Sequence, residues 1–277
     1  MTDRYALFGN PVAHSLSPKI HGLFAEQFNQ DISYDKILIE PGEFARSADA
    51  FFSSDGKGLN VTAPMKTDAY EYAHQRTERA HLAGAVNVLA LLEDGTVLGD
   101  NTDGFGLLAD LTEHLGWGVQ GREILILGAG GTVRGVLGPL MKASPKSITL
   151  VNRTYDKAKA LAKEFAPLGD IEVCKIDQLK PHRFDLVING TSAGIAKGYN
   201  LDLPDTLFFA DAKSYDLNYS MEPTPFRLWS GPYVSEAADG LGMLVAQAAE
   251  SFRIWRGDFP DFIPVIDKIR TIPPRII

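Results

Sequence analysis

The chain has 277 residues, of which 45% are hydrophobic and 22% are charged, a composition that excludes a disordered or fibrous protein. At roughly 150 residues per domain, the length predicts two domains. The formal net charge of −8 argues against a nucleic-acid or membrane-surface partner, so an anionic ligand must be held by a local cluster of donors.

The first hundred residues alternate short apolar strands with amphipathic helices. We predict strands at 5–9, 33–39, 58–62, 86–93 and 96–99, and helices over 18–29 and 42–53. Ser17 can cap the first helix, and Pro18 suits its first position. Asp94 and Gly95 form a favourable turn dipeptide, so the last two strands are expected to pair as a hairpin.

The pattern changes near residue 103, after which buried strands alternate with helices. We predict helices over 105–115, 132–142 and 156–165, and strands at 123–128, 147–152, 171–175, 186–189 and 215–219. This alternation indicates a doubly wound parallel sheet. The lone cysteine, Cys174, falls within one of these strands, and a single cysteine excludes an intrachain disulfide and a cysteine-based metal site.

The last forty residues are mainly helical and show no further strand pattern, so we expect them to return to the first domain. The predicted fold is therefore α/β with two domains, one formed by residues 1–103 plus 241–277 and the other by residues 104–240. The chain shows no leader-type segment and no run of about 18 apolar residues, and we expect a cytoplasmic protein without a membrane partner or a bound metal.

A glycine cluster follows the strongest predicted strand and opens a helix. Gly128 permits a tight turn, and Gly130 lets the backbone approach a pyrophosphate, while the N–H groups of the helix start favour an anion. Ala129 and Gly131 complete the cluster, and Thr132 follows it. Glycines in this strand–turn–helix context predict a dinucleotide site of the Rossmann type.

The end of the second strand of this domain indicates which dinucleotide is bound. Sites for NAD place an acidic residue there, whereas this chain has Asn152, Arg153 and Thr154, with Lys157 one turn later. A guanidinium without a neighbouring carboxylate fits a 2′-phosphate, so we predict NADP.

Four segments outside this domain are rich in polar residues and lie at strand ends, where ligands bind in open α/β sheets. They are residues 10–18, 60–66, 84–87 and 99–104. Their hydroxyl, amide and carboxylate groups suit a polyhydroxylated substrate, and Lys66 could pair with a carboxylate or exchange a proton.

At these residues the chain resembles the shikimate dehydrogenase family over essentially its whole length. The matching motifs are Ser-Leu-Ser-Pro at 15–18, Asn-Val-Thr-x-Pro-x-Lys at 60–66, Gly-Ala-Val-Asn at 84–87, Gly-Asp-Asn-Thr-Asp-Gly at 99–104, Gly-Ala-Gly-Gly at 128–131, Asn-Arg-Thr at 152–154, Asn-Gly-Thr-Ser at 189–192 and Asp-Gly-Leu-Gly-Met-Leu-Val-Ala-Gln-Ala at 239–248. The resemblance implies NADPH-dependent reduction of 3-dehydroshikimate to shikimate in aromatic amino acid biosynthesis. It also implies a small-molecule substrate and a monomer or homodimer.

The resemblance assigns roles to individual residues. Ser15 and Ser17 would bind the substrate carboxylate, and the ring hydroxyls would be held by Thr62, Lys66, Asn87, Asp103 and Gln247, with Tyr219 as a further substrate contact. The cofactor positions would be Gly128, Ala129, Gly130, Gly131, Thr132, Asn152, Arg153, Thr154 and Lys157, together with Leu217, Gly240 and Glu78.

The sequence departs from the family pattern at a few of these positions. Thr132 and Gly190 replace common alanines, Leu217 replaces a frequent methionine, and Lys157 stands where a second arginine often holds the 2′-phosphate. This last change bears on how strictly NADP is preferred.

Among the candidate substrate residues, Lys66 and Asp103 are the pair that could form a proton-transfer dyad. We expect Lys66 to exchange a proton with the substrate oxygen, and Asp103 to orient Lys66 and the substrate hydroxyl. Two alternatives stay open, a quinate/shikimate dehydrogenase that uses NAD as well as NADP, and a non-catalytic NADP-sensing protein on the same fold. A related folate dehydrogenase is disfavoured by the Ser15 and Ser17 segment.

Overall fold

The computed structural model describes residues 2–179, 184–191, 203 and 205–271. The chain divides into two compact units, which we call unit 1 (Met1–Gly106 with Leu244–Ile277) and unit 2 (Leu107–Met243). Ser192 and the final six residues, which the sequence analysis included in a motif and in a domain, lie outside the described residues.

Unit 1 is built on a mixed sheet with helices packed on it. Its strands, in the order β2-β1-β3-β5-β6-β4 within the described residues, are β1 Asp3–Gly9, β2 Ile32–Leu38, β3 Gly56–Val61, β4 Gln75–Arg76, β5 Val88–Leu91 and β6 Val97–Asp100. Its helices are α1 Ser17–Gln27, α2 Phe44–Ser53, α3 Lys66–Tyr72 and α4 Glu78–Ala83, and α10 Ile263–Arg270 lies near the end of the chain. Pairing is parallel between β1 and both its neighbours, and antiparallel from β3 to β5 and from β5 to β6.

Side chains that alternate along β1 and β3 form one core of unit 1. Ala6, Phe8, Leu59 and Val61 are all almost fully buried, as the period-two pattern of a strand requires. The amphipathic helix α2 covers this face with Phe51 and neighbouring apolar residues.

Unit 2 contains an all-parallel sheet with the order β12-β11-β10-β7-β8-β9 among the described residues. The strands are β7 Glu123–Leu127, β8 Ser147–Val151, β9 Glu172–Cys174, β10 Phe184–Asn189, β11 Phe208–Asp216 and β12 Glu236–Asp239, and the helices between them include α6 Gly131–Lys142, α7 Tyr155–Phe165 and α8 Pro225–Ser230. This is the strand order of a dinucleotide-binding Rossmann fold, with its switch point between β7 and β10. The predicted α/β fold class is confirmed.

Two helices belong in part to both units. Helix α5 covers Asp103–Ala109 and continues as a wide π-helical turn over Asp110–His114, and helix α9 covers Leu241–Arg256. Within the described part of the chain, no helix has the length and apolar character needed to cross a membrane.

Several local predictions differ from the structure. The predicted elements omit α3, β4 and α4, whose sequences are largely polar, and α8. They also omit β12, whose sequence Glu-Ala-Ala-Asp has no β-branched or aromatic residue. Strand β11 begins seven residues earlier than predicted, and it ends at Asp216 rather than continuing to 219.

Candidate active site

The ends of four strands in unit 1 come together at one edge of the sheet. Phe8 near the end of β1 pairs with Val61 at the end of β3, and Asn60 pairs with Val88 at the start of the antiparallel strand β5. Val88 in turn pairs with Asp100 at the end of β6. The loops that follow β1, β3 and β6, and the residue that precedes β5, therefore meet at the same end of the sheet.

Lys66 and Asp103 form an ion pair at this end. Lys66 is the first residue of α3 and Asp103 is the first residue of α5. The Lys66 ammonium Nζ lies 2.5 Å from Asp103 Oδ2, and the two side chains are 19% and 8% exposed. The pair is therefore largely shielded from water, and its attraction is screened much less than that of a surface pair.

Asn87 connects this ion pair to helix α9. Its Nδ2 lies 2.9 Å from Asp103 Oδ1, 3.1 Å from Thr102 Oγ1 and 3.2 Å from Gln247 Oε1, and its Oδ1 accepts a hydrogen bond from Thr102 N at 2.8 Å. An amide nitrogen has only two protons for these three acceptors. The Thr102 hydroxyl also lies 3.3 Å from Gln247 Oε1, so the group shares its protons among several oxygens, and their remaining lone pairs can accept from a ligand hydroxyl.

Ser15 and Ser17 lie together after β1. Ser15 Oγ donates to Ser17 Oγ at 3.1 Å, and it accepts a hydrogen bond from the Ser17 backbone N–H at 3.2 Å. The prediction that Ser17 caps α1 is wrong: Leu16 occupies the N-cap position, and no side-chain cap is formed. The hydroxyl of Ser17 instead accepts the hydrogen bond from Ser15 Oγ.

Thr62 follows β3 directly and is half-buried. A Cβ placed on Gly9 would lie 2.3 Å from Thr62 Cγ2. The glycine at the end of β1 thus lets Thr62 approach that strand.

A buried polar network, which the sequence motifs do not predict, lies behind these residues. Asn60 Oδ1 accepts from the Tyr34 hydroxyl at 2.8 Å and lies 3.1 Å from His21 Nε2, while Asn60 Nδ2 donates to Ser251 Oγ at 3.0 Å. Burial lowers the pKa of His21 to about 3, so the imidazole is neutral. Its Nε2 carries the proton, because it faces an oxygen acceptor. The sequence signal that could have indicated this network is Asn60, a polar residue between two apolar residues of the strand β3.

A second network supports the loop that carries Asp103. Asp100 accepts from the Thr77 hydroxyl at 2.5 Å, from Asn101 N at 2.6 Å and from Arg79 Nε at 3.1 Å. Arg79 also lies 2.8 Å from the carboxylate of Glu250 on α9. Both carboxylates are almost fully buried, so the arginine compensates two charges that are shielded from water.

The glycine cluster of unit 2 has the predicted geometry for a turn into a helix. Gly128 follows β7 with φ +109°, and a Cβ on it would lie 2.8 Å from Gly190 O, so no other residue fits. Gly130 is the N-cap of α6, and a Cβ on Gly130 or Gly131 would meet no protein atom within 4 Å. The backbone N–H groups at the start of α6 are therefore accessible to a ligand, and half-buried Ala129 and Thr132 flank them.

Structure explains one departure from the family pattern. A Cβ on Gly190 would lie 2.2 Å from Val133 Cγ2. Val133 is fully buried in the first turn of α6, so the glycine at 190 makes room for the valine.

The segment after β8 contributes further polar groups at the same edge of the sheet. Asn152 Nδ2 donates to Thr154 O at 2.9 Å, which closes the turn into α7. Arg153, Thr154 and Lys157 are exposed. This arrangement leaves two cationic side chains and the N-terminus of α7 beside the glycine turn, which fits a phosphorylated dinucleotide.

The remaining candidate cofactor and substrate residues lie outside the clusters described above. The backbone of Leu217 approaches Gly240 so closely that a Cβ on the glycine would lie 2.4 Å from Leu217 O. Tyr219 is exposed and belongs to unit 2, whereas the other substrate candidates belong to unit 1. Glu78 is the first residue of α4 in unit 1, whereas the other cofactor candidates belong to unit 2. The described residues contain no group of metal-binding side chains that could hold an ion.

Comparison with known families agrees with this geometry. Residues 7–89 match the shikimate dehydrogenase substrate binding domain, residues 110–196 match shikimate / quinate 5-dehydrogenase, and residues 240–262 match the shikimate 5′-dehydrogenase C-terminal domain.

Individual proteins are similar over almost the full chain. A shikimate dehydrogenase (NADP(+)) of Cellvibrio japonicus is 50% identical over 271 residues, which cover 98% of each chain. The crystal structure of a Thermus thermophilus shikimate 5-dehydrogenase in complex with NADP(H) and shikimate is 30% identical, covers 97% of this chain and 98% of that one, and has a TM-score of 0.87. An Ael1 enzyme from Pseudomonas putida is 42% identical with a TM-score of 0.90, covering 98% and 99% of the two chains. The chain belongs to the shikimate dehydrogenase family.

Proposed function

We propose that this member of the shikimate dehydrogenase family, an NADP-dependent oxidoreductase, reduces 3-dehydroshikimate to shikimate in the pathway to chorismate and the aromatic amino acids. The observation that carries the proposal is the shielded Lys66–Asp103 ion pair held by Asn87 at the end of the unit 1 sheet. Such a site supplies a proton donor beside several hydrogen-bonding groups, as reduction of a ring ketone requires.

Unit 1 is proposed as the substrate-binding domain. Ser15 and Ser17 have hydroxyls 3.1 Å apart, and each can rotate to donate to one oxygen of a carboxylate. Ring hydroxyls are proposed to contact Thr62, Asn87, Asp103 and Gln247, with Tyr219 of unit 2 as a further contact. The remaining lone pairs of Asp103 Oδ1 and Gln247 Oε1 beside the Asn87 amide give such a hydroxyl a place to donate.

Lys66 is proposed as the proton donor in the direction of reduction. Its ammonium donates to Asp103 before the substrate binds, and the same Nζ has two further protons for a substrate oxygen. As that oxygen gains negative charge, Nζ transfers a proton to it. Asp103 holds Nζ in position and accepts a hydrogen bond from the neighbouring hydroxyl. In the oxidation direction the same proton returns to Lys66.

Unit 2 is proposed as the NADP-binding domain. Bound NADPH supplies the hydride. The N-terminus of α6 at Gly130 and Gly131 is proposed to bind the pyrophosphate, and Asn152, Arg153, Thr154 and Lys157 the 2′-phosphate. The backbone at Leu217 and Gly240 is proposed to contact the nicotinamide, and Glu78 is retained as a cofactor contact from unit 1.

We propose a cytoplasmic location for this enzyme, because a chain with one half-buried cysteine needs no oxidising compartment. A monomer or a homodimer is proposed as the active form. Light scattering of the purified protein coupled to size-exclusion chromatography distinguishes the two.

One steady-state experiment tests the reaction. Formation of NADPH is followed with shikimate or quinate as substrate and with NADP+ or NAD+ as cofactor. We expect shikimate with NADP+ to give the highest kcat/KM, at least about tenfold above NAD+, which corresponds to about 1.4 kcal/mol. Comparable rates with quinate and with NAD+ would support the quinate/shikimate alternative, and binding of NADP+ without turnover would support the sensing alternative.

A further inference from the structure

A third cationic side chain lies beside the two that the sequence analysis assigned to the 2′-phosphate. Val151 at the end of β8 pairs with Cys174 at the end of β9, so the residues that follow, Asn152 and Lys175, leave the sheet next to each other. Lys175 Nζ lies 5.8 Å from the centre of the Tyr155 ring. Tyr155 is the first residue of α7, so Nζ lies over the first turn of the helix that follows Arg153.

The cations at this place form no ion pair with the part of the chain that the structure describes. Among the described residues, no carboxylate forms an ion pair with Arg153, Lys157 or Lys175. Other lysines of unit 2 do have such partners, as Lys146 has Glu123 and Lys213 has Glu236. In a chain with a net charge of −8, these three cations outnumber Asp156, the carboxylate in the first turn of α7, and make a local site for a multiply charged anion.

The aromatic ring explains how a lysine can contribute there. A flexible ammonium loses side-chain entropy when it is held in one place. The face of Tyr155 attracts the Lys175 ammonium at a distance typical of cation–π contacts, which favours conformers that keep Nζ above the turn. Lys157 provides a point charge where a second arginine would form paired hydrogen bonds, so a further cation restores part of the lost attraction.

We propose that Lys175 is a specificity-determining residue that binds the 2′-phosphate of NADP together with Arg153 and Lys157. The inference rests on the proposed assignment of the 2′-phosphate to the segment after β8. Because Lys175 is exposed, its contribution is an electrostatic attraction to the dianion that salt weakens, and it is absent for NAD, which has a hydroxyl at that position.

The test is the Lys175→Met variant, which keeps an apolar stem and removes the charge. Dissociation constants for NADP+, NAD+, 2′-AMP and AMP are measured by titration calorimetry at low and high ionic strength, without shikimate. We expect the NADP+ and 2′-AMP constants to rise by about 3- to 10-fold at low salt, and by less at high salt. The constants for NAD+ and AMP should stay within about twofold, and Lys175→Arg should restore binding of NADP+.

Lys163→Met is the matched control, because Lys163 is exposed on the last turn of the same helix and its loss changes the net charge equally. An equal effect of the two variants, or equal effects of Lys175→Met on NADP+ and NAD+, would overturn the inference. So would an unchanged NADP+ constant in Lys175→Met. If the unaltered protein binds NADP+ with the expected Lys175 dependence but does not oxidise shikimate, the proposed reaction fails and the inference stands.

Discussion

Replacing Lys66 with methionine removes the ammonium and keeps most of the side-chain volume. At 2.5 Å and an effective dielectric constant of 20, the gross attraction between Nζ and Asp103 is about 6–7 kcal/mol, most of which desolvation offsets. We expect kcat to fall by about 10²- to 10⁴-fold, or roughly 3–5 kcal/mol of transition-state stabilisation, because the reacting oxygen loses its proton donor. NADP+ affinity should not change.

The assay is steady-state reduction of 3-dehydroshikimate at varied substrate concentration, which gives kcat and KM separately, with thermal unfolding measured in parallel to show that the variant is folded. Asp103→Asn should also lower kcat, and the double variant should lose less than the product of the two single losses, because the residues act as one unit. Lys57→Met is the control, since Lys57 is exposed on β3. A folded Lys66→Met protein with normal kcat, or with a defect in KM alone, would refute the assignment of proton transfer to Lys66.

Three further outcomes follow from the structure. Arg79→Met should lower the free energy of unfolding of unit 1 by about 3 kcal/mol, because the buried Asp100 carboxylate loses its cation while Glu250 keeps Arg253; calorimetry that shows no change in Tm would contradict this. His21 has a pKa of about 3 in the folded state and an ordinary value near 6.5 when unfolded, so stability should be lost as the pH falls through 6.5 toward 3. Between pH 7.5 and 5.5 that loss is about 1.4 kcal/mol, and urea unfolding of His21→Gln should lack it. Gly240→Ala should weaken NADP+ binding in calorimetry by displacing the backbone of Leu217, whereas an unchanged dissociation constant would show that this backbone does not contact the cofactor.

The positions of most strands and of the longer helices could be predicted because local sequence patterns determine them. The apolar run at β7, the glycine turn before α6 and the Asp94-Gly95 hairpin each carry their own signal. The helices α3 and α4 could not be predicted in this way, because their sequences are polar and their stability comes from packing in the folded unit.

The candidate site divides in the same way. Turn and motif residues such as Lys66 and Asp103 could be recognised, and the structure places them in contact. The groups that support them could not be recognised from the sequence. Arg79 pairs with Glu250 across 171 positions of sequence, and no local pattern encodes such a pairing. The reason for a glycine at position 190 could not be predicted either, because it depends on the contact with Val133 in the folded unit.

The hairpin of β5 and β6 joins the candidate site to an exposed turn within one short stretch of chain. Its open end carries Asn87 and the loop to Asp103, whereas its turn lies about 13 Å away, the length of a four-residue strand. At that turn Gly95 has φ +81° and no neighbour within 4 Å of a Cβ. The turn is therefore a position at which an epitope or a fluorescent reporter can be inserted while the chemistry at the other end is left intact.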